Sequence, residues 1–181
     1  MPQDPALSPL VDNAMLGAQR GAALTQRMLA FSRRQELQVE KIDVSALLRG
    51  MMDMVSRSLG PIATLETEFP ESLPTIATDP NQLEAAVLNL VVNARDAMPG
   101  GGPIRIRATE ELVPDGGTMP AGHYVCVAVA DEGEGMSDET LKQAVTPFFT
   151  TKGIGKGTGL GLSMVQGLAA QSGGRLVLKS R

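Results

Sequence analysis

The sequence predicts an α+β fold: a two-layer sandwich with helices on one face of a mixed sheet, preceded by one long bundle helix. Three observations lead there. Stretches with apolar residues at helical spacing interleave with stretches of strict alternation, Gly/Pro punctuation separates them, and Ser8 to about Arg34 carries a sustained heptad rhythm.

From Ser8 to about Arg34, Val11, Met15, Ala18, Ala22, Thr25, Leu29 and Ser32 repeat in alternating steps of four and three. Leu10, Ala14, Gly17, Gly21, Leu24, Met28 and Phe31 make an adjacent stripe. Two neighbouring stripes give a wide apolar face, which suits a bundle helix better than a two-stranded coil. Ser8 and Pro9 offer an N-cap and first position, and Arg33 and Arg34 complement the negative C-terminal end.

Residues 37–42 read as a linker, and 43–181 as one domain. Val44, Leu47, Leu48, Met51, Met54 and Val55 share a helical face that Gly60-Pro61 stops. Ala63, Leu65, Thr67 and Phe69 alternate with Thr64, Glu66 and Glu68 as in a half-buried strand. Asp79-Pro80-Asn81-Gln82 supplies an N-cap, a first-position proline and a capping-box glutamine for a helix that Gly100 to Pro103 ends. Ile104, Ile106 and Ala108 mark the next strand, a Pro/Gly-rich loop covers Val113 to Gly122, and Tyr124 to Ala130 is a strong strand. Gly159 to Ser172 reads as a helix, and Gly173 to Arg181 as a turn and strand. No internal repeat is visible.

The chemistry sits at three points along these elements. In Asn89-Leu-Val-Val-Asn93-Ala-Arg-Asp96, the apolar Leu90, Val91, Ala94 and Met98 recur at helical spacing, so Asn89, Asn93 and Asp96 share the opposite stripe. Such a row of oxygens suits Mg²⁺, a hard cation that keeps several waters and bridges phosphates. Asp131, at the end of the strand, is acceptor-only and can take a hydrogen bond from the exocyclic amine of adenine. Gly133 and Gly135 let the chain turn sharply beside a flat base. The run Gly157-Thr158-Gly159-Leu160-Gly161-Leu162 is small where a chain must approach phosphates, ahead of a helix whose first N–H groups present the positive end of its dipole. A P-loop is excluded, since Gly155-Lys156 is followed by Gly157. The glycine run is not G-x-G-x-x-G and follows a loop, which excludes a dinucleotide-binding turn.

Taken together, these residues resemble the catalytic and ATP-binding domain of bacterial sensor histidine kinases. That domain belongs to a superfamily of Bergerat-type ATPases that includes gyrase, the ninety-kilodalton chaperones and mismatch-repair ATPases. By that resemblance 89–98 is the N box, 131–135 the G1 box, Pro147-Phe-Phe-Thr-Thr-Lys152 the F box and 157–162 the G2 box. The resemblance implies ATP and Mg²⁺ as ligands, with Asn93 on the metal and Asn89 as a second candidate. The nucleotide set it implies is Asn89, Asn93, Asp96, Asp131, Gly133, Gly135, Thr150, Thr151, Lys152, Gly157, Thr158, Gly159, Leu160, Gly161 and Leu162. Met136 to Thr158 would be the ATP lid, with Lys152 reaching the phosphates; equally, the two Phe residues serve as core and Lys152 as a solvated charge. Many histidine kinases carry a basic residue where Asp96 stands, so its role is a water-mediated adenine or metal contact, or a helix-surface charge. Glu132 and Glu134 add negative charge near a polyanion unless they point outward.

The resemblance further implies transfer of the γ-phosphate to a histidine in two-component signalling, with a histidine-bearing dimerisation helix and a response regulator as partners and a homodimeric full-length kinase. The gyrase, chaperone and serine-kinase branches resemble one another in carrying a Glu at position 89, as a base. Asn89 cannot take up a proton, so the pocket is expected to hold ATP without promoting attack by water. Residues 1–36 resemble the second helix of the dimerisation and phosphotransfer hairpin, so the phosphoacceptor histidine is expected outside this sequence and no catalytic residue is assigned within it. The domain would also lack the closing strand usual in the family. The single histidine, His123, follows a loop without carboxylate or Cys partners, which argues against a metal site there. Two other classes stay open: a phosphotransfer scaffold without kinase activity, and an ATP-driven conformational switch of the gyrase or chaperone type.

Composition fits that reading. With no Trp and one Tyr, the core must be built from Leu, Val, Ile, Ala and ten Met residues. A single Cys126 inside an apolar strand permits no internal disulfide and suggests a reducing, cytoplasmic setting, with any membrane tether lying in the parent protein. No stretch approaches the roughly 20 apolar residues of a membrane span, and the first residues do not show a signal-peptide pattern. The net charge of −4 gives no reason to expect nucleic acid.

Overall fold

A computed structural model describes residues 38–117, 119–153 and 157–180, within a compact unit that begins at Leu37. The bundle helix expected over residues 8–34 lies outside the described residues. The elements are β1 (Glu40–Ile42), α1 (Val44–Leu59), β2 (Ala63–Glu68), β3 (Ile76–Thr78), α2 (Pro80–Asp96), β4 (Gly102–Val113), β5 (Gly122–Ala130), α3 (Asp138–Gln143) and α4 (Gly161–Gln171).

A three-stranded mixed sheet has the order β2-β4-β5, with β2 parallel to β4 and β5 antiparallel to it. Along β4, alternation sends Ile104, Ile106 and Ala108 inward and Arg105 and Arg107 outward. The inward residues pack with Leu48, Met51 and Val55 of α1 and Val87, Val91 and Ala94 of α2, so both helices cover one face. Leu48, Val87, Val91, Ile104 and Ile106 are essentially solvent-free. Each such side chain contributes about 1.5–3 kcal/mol on leaving water, and aliphatic packing thus replaces the missing aromatics. Met54, expected on the buried face of α1, is 38% exposed. It stands to one side of the stripe set by Val44, Leu48, Met51, Val55 and Leu59, at the edge of the covered face.

Both long helices begin where the capping residues put them. Asp43 accepts from the Ala46 N–H and Asp79 from the Gln82 N–H, each satisfying a backbone donor that a helix start leaves unpaired. The end of α2 differs from expectation. It stops at Asp96, before the glycines, because Pro99 disfavours helical backbone at Met98. Met98 then swings into the core, where a Cβ on Gly102 would lie 2.9 Å from its sulfur.

Three further differences concern pairing. Part of the segment read as a linker forms β1, which pairs antiparallel with β3 in a separate two-stranded sheet. Part of the expected lid loop forms α3, capped by Ser137 accepting from the Thr140 N–H, with Asp138 and Glu139 in its first turn. Residues 174–180 were expected as a strand, yet they alternate half-buried and exposed without joining a ladder among the described residues. Alternation reports a two-sided environment, whereas a strand also needs a backbone partner in register. Leu176 packs with Ala86, Val165 and Leu168, and Ser180 accepts from the Met136 N–H.

Candidate functional site

Helix α2 is buried on two sides, and the amides lie along the seam between them. Val87, Val91 and Ala94 face the sheet, while Ala86, Leu83 and Leu90 meet Val165 and Leu168 of α4. The N-cap at Asp79 sets the phase that leaves Asn89 and Asn93 half-buried toward the start of α4. A Cβ on Gly161 would lie 3.6 Å from Asn93 Nδ2 and 3.8 Å from Asn89 Cβ. The first turn of α4 therefore touches both amides. Leu160, at the cap position, makes no side-chain cap bond, which leaves the leading N–H groups of α4 available to an anion.

The turn after β5 is packed onto the other end of α2. Asp131 Oδ1 accepts from the Gly133 N–H at 2.9 Å, closing a turn of the type Asp favours. The Glu134 N–H donates to the carbonyl of Ala97 at 3.1 Å. A Cβ on Gly133 would come within 2.7 Å of the Ala97 Cβ and carbonyl oxygen, so only glycine allows this approach. Gly135 continues the turn with φ +68°. Asp131 is exposed, with a second carboxylate oxygen to offer a ligand. Glu132 pairs instead with Arg105 at 3.0 Å, beside the Glu66–Arg105 and Glu68–Arg107 pairs on the open face of the sheet, so its charge points away from the amides.

The lid residues close the third side. Phe148 adopts φ +68° and its N–H donates to the Gly159 carbonyl at 2.9 Å, tying the two ends of the segment together. Thr150 Oγ1 accepts from the Lys152 N–H at 3.1 Å, and a Cβ on Gly157 would lie 2.8 Å from that oxygen. Lys152 Nζ reaches Asp96 Oδ2 at 2.6 Å and Asn93 Oδ1 at 3.4 Å. Thr151 is exposed; Thr158 and Leu162 are half-buried at the entry to α4, and Leu160 is buried beneath them. Burial pushes the Asp96 carboxyl up, but hydrogen bonds from Lys152 and Arg95 and their charges outweigh it and hold it below the usual range.

Asn89, Asn93, Asp96, Lys152 and Gly161 thus stand together, with Gly133 one helical turn along α2 at Ala97. No cluster of three or more His, Cys, Asp or Glu among the described residues could hold a metal alone. One or two amide oxygens plus phosphates and water are a donor set that suits Mg²⁺, and a cation already rests against Asn93 Oδ1.

Two features fall outside this site. A groove of about 580 Å³ lies beside Phe69, Leu73 and Arg107, and a smaller one of about 260 Å³ between Arg105 and Ala128, both away from the amides. His123 lies inside β5 and has a carboxylate partner after all: Nδ1 is 2.7 Å from Glu110 Oε1 on β4. The pairing of β4 with β5 created a contact that linear distance hides. Arg95 is the residue that sequence reasoning missed; it lies between Asn93 and Asp96, but its hydrogen bond to the Ser58 carbonyl spans two helices.

The family described as histidine kinase-, DNA gyrase B-, and HSP90-like ATPase matches residues 78–181. The chain is similar to the sensor kinase CckA of Brucella abortus (strain 2308), 40% identical over 176 residues, covering 94% of this chain and 18% of that protein. It is similar to the sensor histidine kinase ZraS of Escherichia coli (strain K12), 30% identical over 166 residues, covering 91% of this chain and 33% of that one. The chain therefore spans a third or less of these relatives' lengths. Among solved structures it is similar to full-length ShkA in complex with AMPPNP, with a TM-score of 0.67 and 25% identity over 94% of this chain and 35% of that chain. A mycobacterial sensor histidine kinase, MprB, shares the fold with a TM-score of 0.58 and 24% identity over 75% of this chain and 80% of that chain.

Proposed function

Because the chain belongs to the histidine kinase-, DNA gyrase B-, and HSP90-like ATPase family, we propose that it binds ATP with Mg²⁺ between α2, the turn after β5 and the lid. It then passes the γ-phosphate to a histidine on a dimerisation helix, for relay to a response regulator. The observation that carries this reading is the contact of Gly161 and Lys152 with Asn89, Asn93 and Asp96, three motifs distant in sequence converging on one seam.

Each residue has a role in this reading. Asp131 receives the adenine amine, and Gly133 and Gly135 keep side chains off the base. The leading N–H groups of α4 and the ammonium of Lys152 receive the phosphates. Asn93, with Asn89 beside it, would hold Mg²⁺, which supplies charge neutralisation across the phosphates when bound. Asn89 cannot act as a base, so water is not activated and the phosphate waits for a better nucleophile.

His123 does not suit the acceptor role. It is engaged with Glu110 and lies eight residues from Asp131 along β5, about 26 Å at strand rise. The acceptor is therefore a histidine presented by another segment, and a homodimer is the natural arrangement to present it. Similarity to ShkA, described in complex with AMPPNP, supports the nucleotide assignment.

The test mixes the chain with ATP, Mg²⁺ and a separate histidine-bearing hairpin. Acid-labile phosphate on the hairpin, with slow hydrolysis when the hairpin is omitted, is the expected result. Brisk hydrolysis by the chain alone would favour an ATP-driven switch, and absence of nucleotide binding would favour a scaffold.

A further inference from the structure

The nucleotide reading takes the Lys152–Asp96 contact as a sign of convergence and gives Asp96 itself no role, yet the contacts around Asp96 form a continuous chain. Asp96 Oδ1 accepts from Arg95 Nε at 3.1 Å and Nη2 at 2.7 Å, while Arg95 Nη1 donates to the Ser58 carbonyl at 2.7 Å. Neighbours in a helix do not normally face each other, so Arg95 bends forward to reach Asp96. Its anchor is a carbonyl in the last turn of α1, where a helix leaves acceptors unpaired and favours a cation. One carboxylate oxygen is thereby fixed, and the other meets Lys152 Nζ at 2.6 Å. Lys152 belongs to the lid, 56 residues away in sequence.

We propose that Asp96, oriented by Arg95, is a positioning residue that holds the lid lysine Lys152 over Asn93, ready for the nucleotide phosphates. Asp96 then acts through Lys152 and does not itself touch the nucleotide. The inference rests on the ATP reading above.

A competing account makes the same ion pair a lock that excludes Mg²⁺–nucleotide. Magnitude decides against it. The side chains of Lys152 and Asp96 are 32% and 27% exposed, and a partly solvated pair is favoured over its separated charges by no more than about fivefold. A polyphosphate with its metal outcompetes that easily. A flexible lysine, by contrast, gains from being held near its target before binding, because its rotamer freedom is then spent in advance. The 3.4 Å approach to Asn93 Oδ1 puts the ammonium beside the expected metal ligand without a full bond to release.

The test is a double-mutant cycle on the full chain, with Lys152→Ala, Asp96→Asn and the pair, read as the dissociation constant for Mg²⁺–AMPPNP by calorimetry. Melting curves without nucleotide confirm folding of each variant. Lys152→Ala is expected to weaken binding by about fivefold to tenfold in the parent chain and by less than about twofold in the Asp96→Asn background. Asp96→Glu should restore part of the effect of Lys152. A third variant, Arg95→Gln, keeps the carboxylate but removes its anchor, and should also reduce the effect of Lys152. Additive losses would overturn the proposal. So would a larger Lys152 effect in the Asp96→Asn background, which is the signature of a lock. If the parent chain bound no nucleotide, the ATP reading would fall first and this inference with it; binding with an additive cycle removes the inference alone.

Discussion

At the residue scale, two positions make separate predictions about stability. Ser45 is fully buried in the first turn of α1, and its hydroxyl has no hydrogen-bond partner. A buried polar group left unpaired costs about 1–3 kcal/mol, so Ser45→Ala should stabilise the domain by about 1 kcal/mol. For a domain of this size the expected gain in melting temperature is about 2–4 °C, measured by thermal unfolding. A fall would mean that the hydroxyl is satisfied. Asp96 predicts a pH dependence. Its carboxyl is held below the ordinary value of 3.8, so its ion pair contributes fully above that pH and is lost as the pH falls through the lower folded value. The stability difference between the parent chain and Asp96→Asn should be at most about 1 kcal/mol at neutral pH and shrink below about pH 4, since the pair is partly solvated. A difference independent of pH would remove Lys152 and Arg95 as its source. Burial, with help from the nearby Glu111 charge, pushes the Cys126 thiol up, so it stays protonated; it is half-buried on the face of β5 opposite the one that Val125, Val127 and Val129 turn to the core.

At the element scale, the neck of the lid is the sensitive point. Phe148 holds a left-handed backbone that a bulky residue adopts at a cost of about 1–3 kcal/mol, and its N–H is spent on Gly159. Gly159 also has a positive φ, and a Cβ there would fall within 2.6 Å of the Phe148 and Phe149 carbonyl oxygens. Gly159→Ala is therefore expected to open the neck and weaken nucleotide binding by tenfold or more, while the melting temperature moves by only a few degrees because the core lies elsewhere. Titration with Mg²⁺–AMPPNP beside a melting curve separates the two effects; unchanged binding would show that the neck does not hold the lid. The same scale explains which boundaries could be read ahead of the structure. Asp79 caps the helix it was expected to cap, since capping is local chemistry, and Asp43 caps α1, of which the sequence reading named only the apolar face and the stop. The end of α2 falls earlier than the glycines predict because Pro99 acts on the residue before it. Helix α3 was missed although Ser137, Asp138 and Glu139 carry a start signal, because the glycines that follow suggested a continuous loop.

At the scale of the whole molecule, α2 joins the core to the chemistry. One side completes the aliphatic core with α1 and the sheet, another packs on α4, and the seam between them carries the amides. No described helix is long and apolar enough to cross a membrane, in keeping with the hydropathy of the sequence. The sequence by itself determined the layers, the starts of the two long helices and the residue types of the candidate site, because periodicity, capping and the chemistry of amide, carboxylate and glycine are properties of short stretches. Only the tertiary structure decided that Lys152 meets Asp96, that Arg95 spans two helices, that Glu132 turns to Arg105 and that His123 pairs with Glu110. Each of those contacts joins positions far apart along the chain or on different strands, and the distance between such positions is fixed by packing and register, which no local pattern encodes.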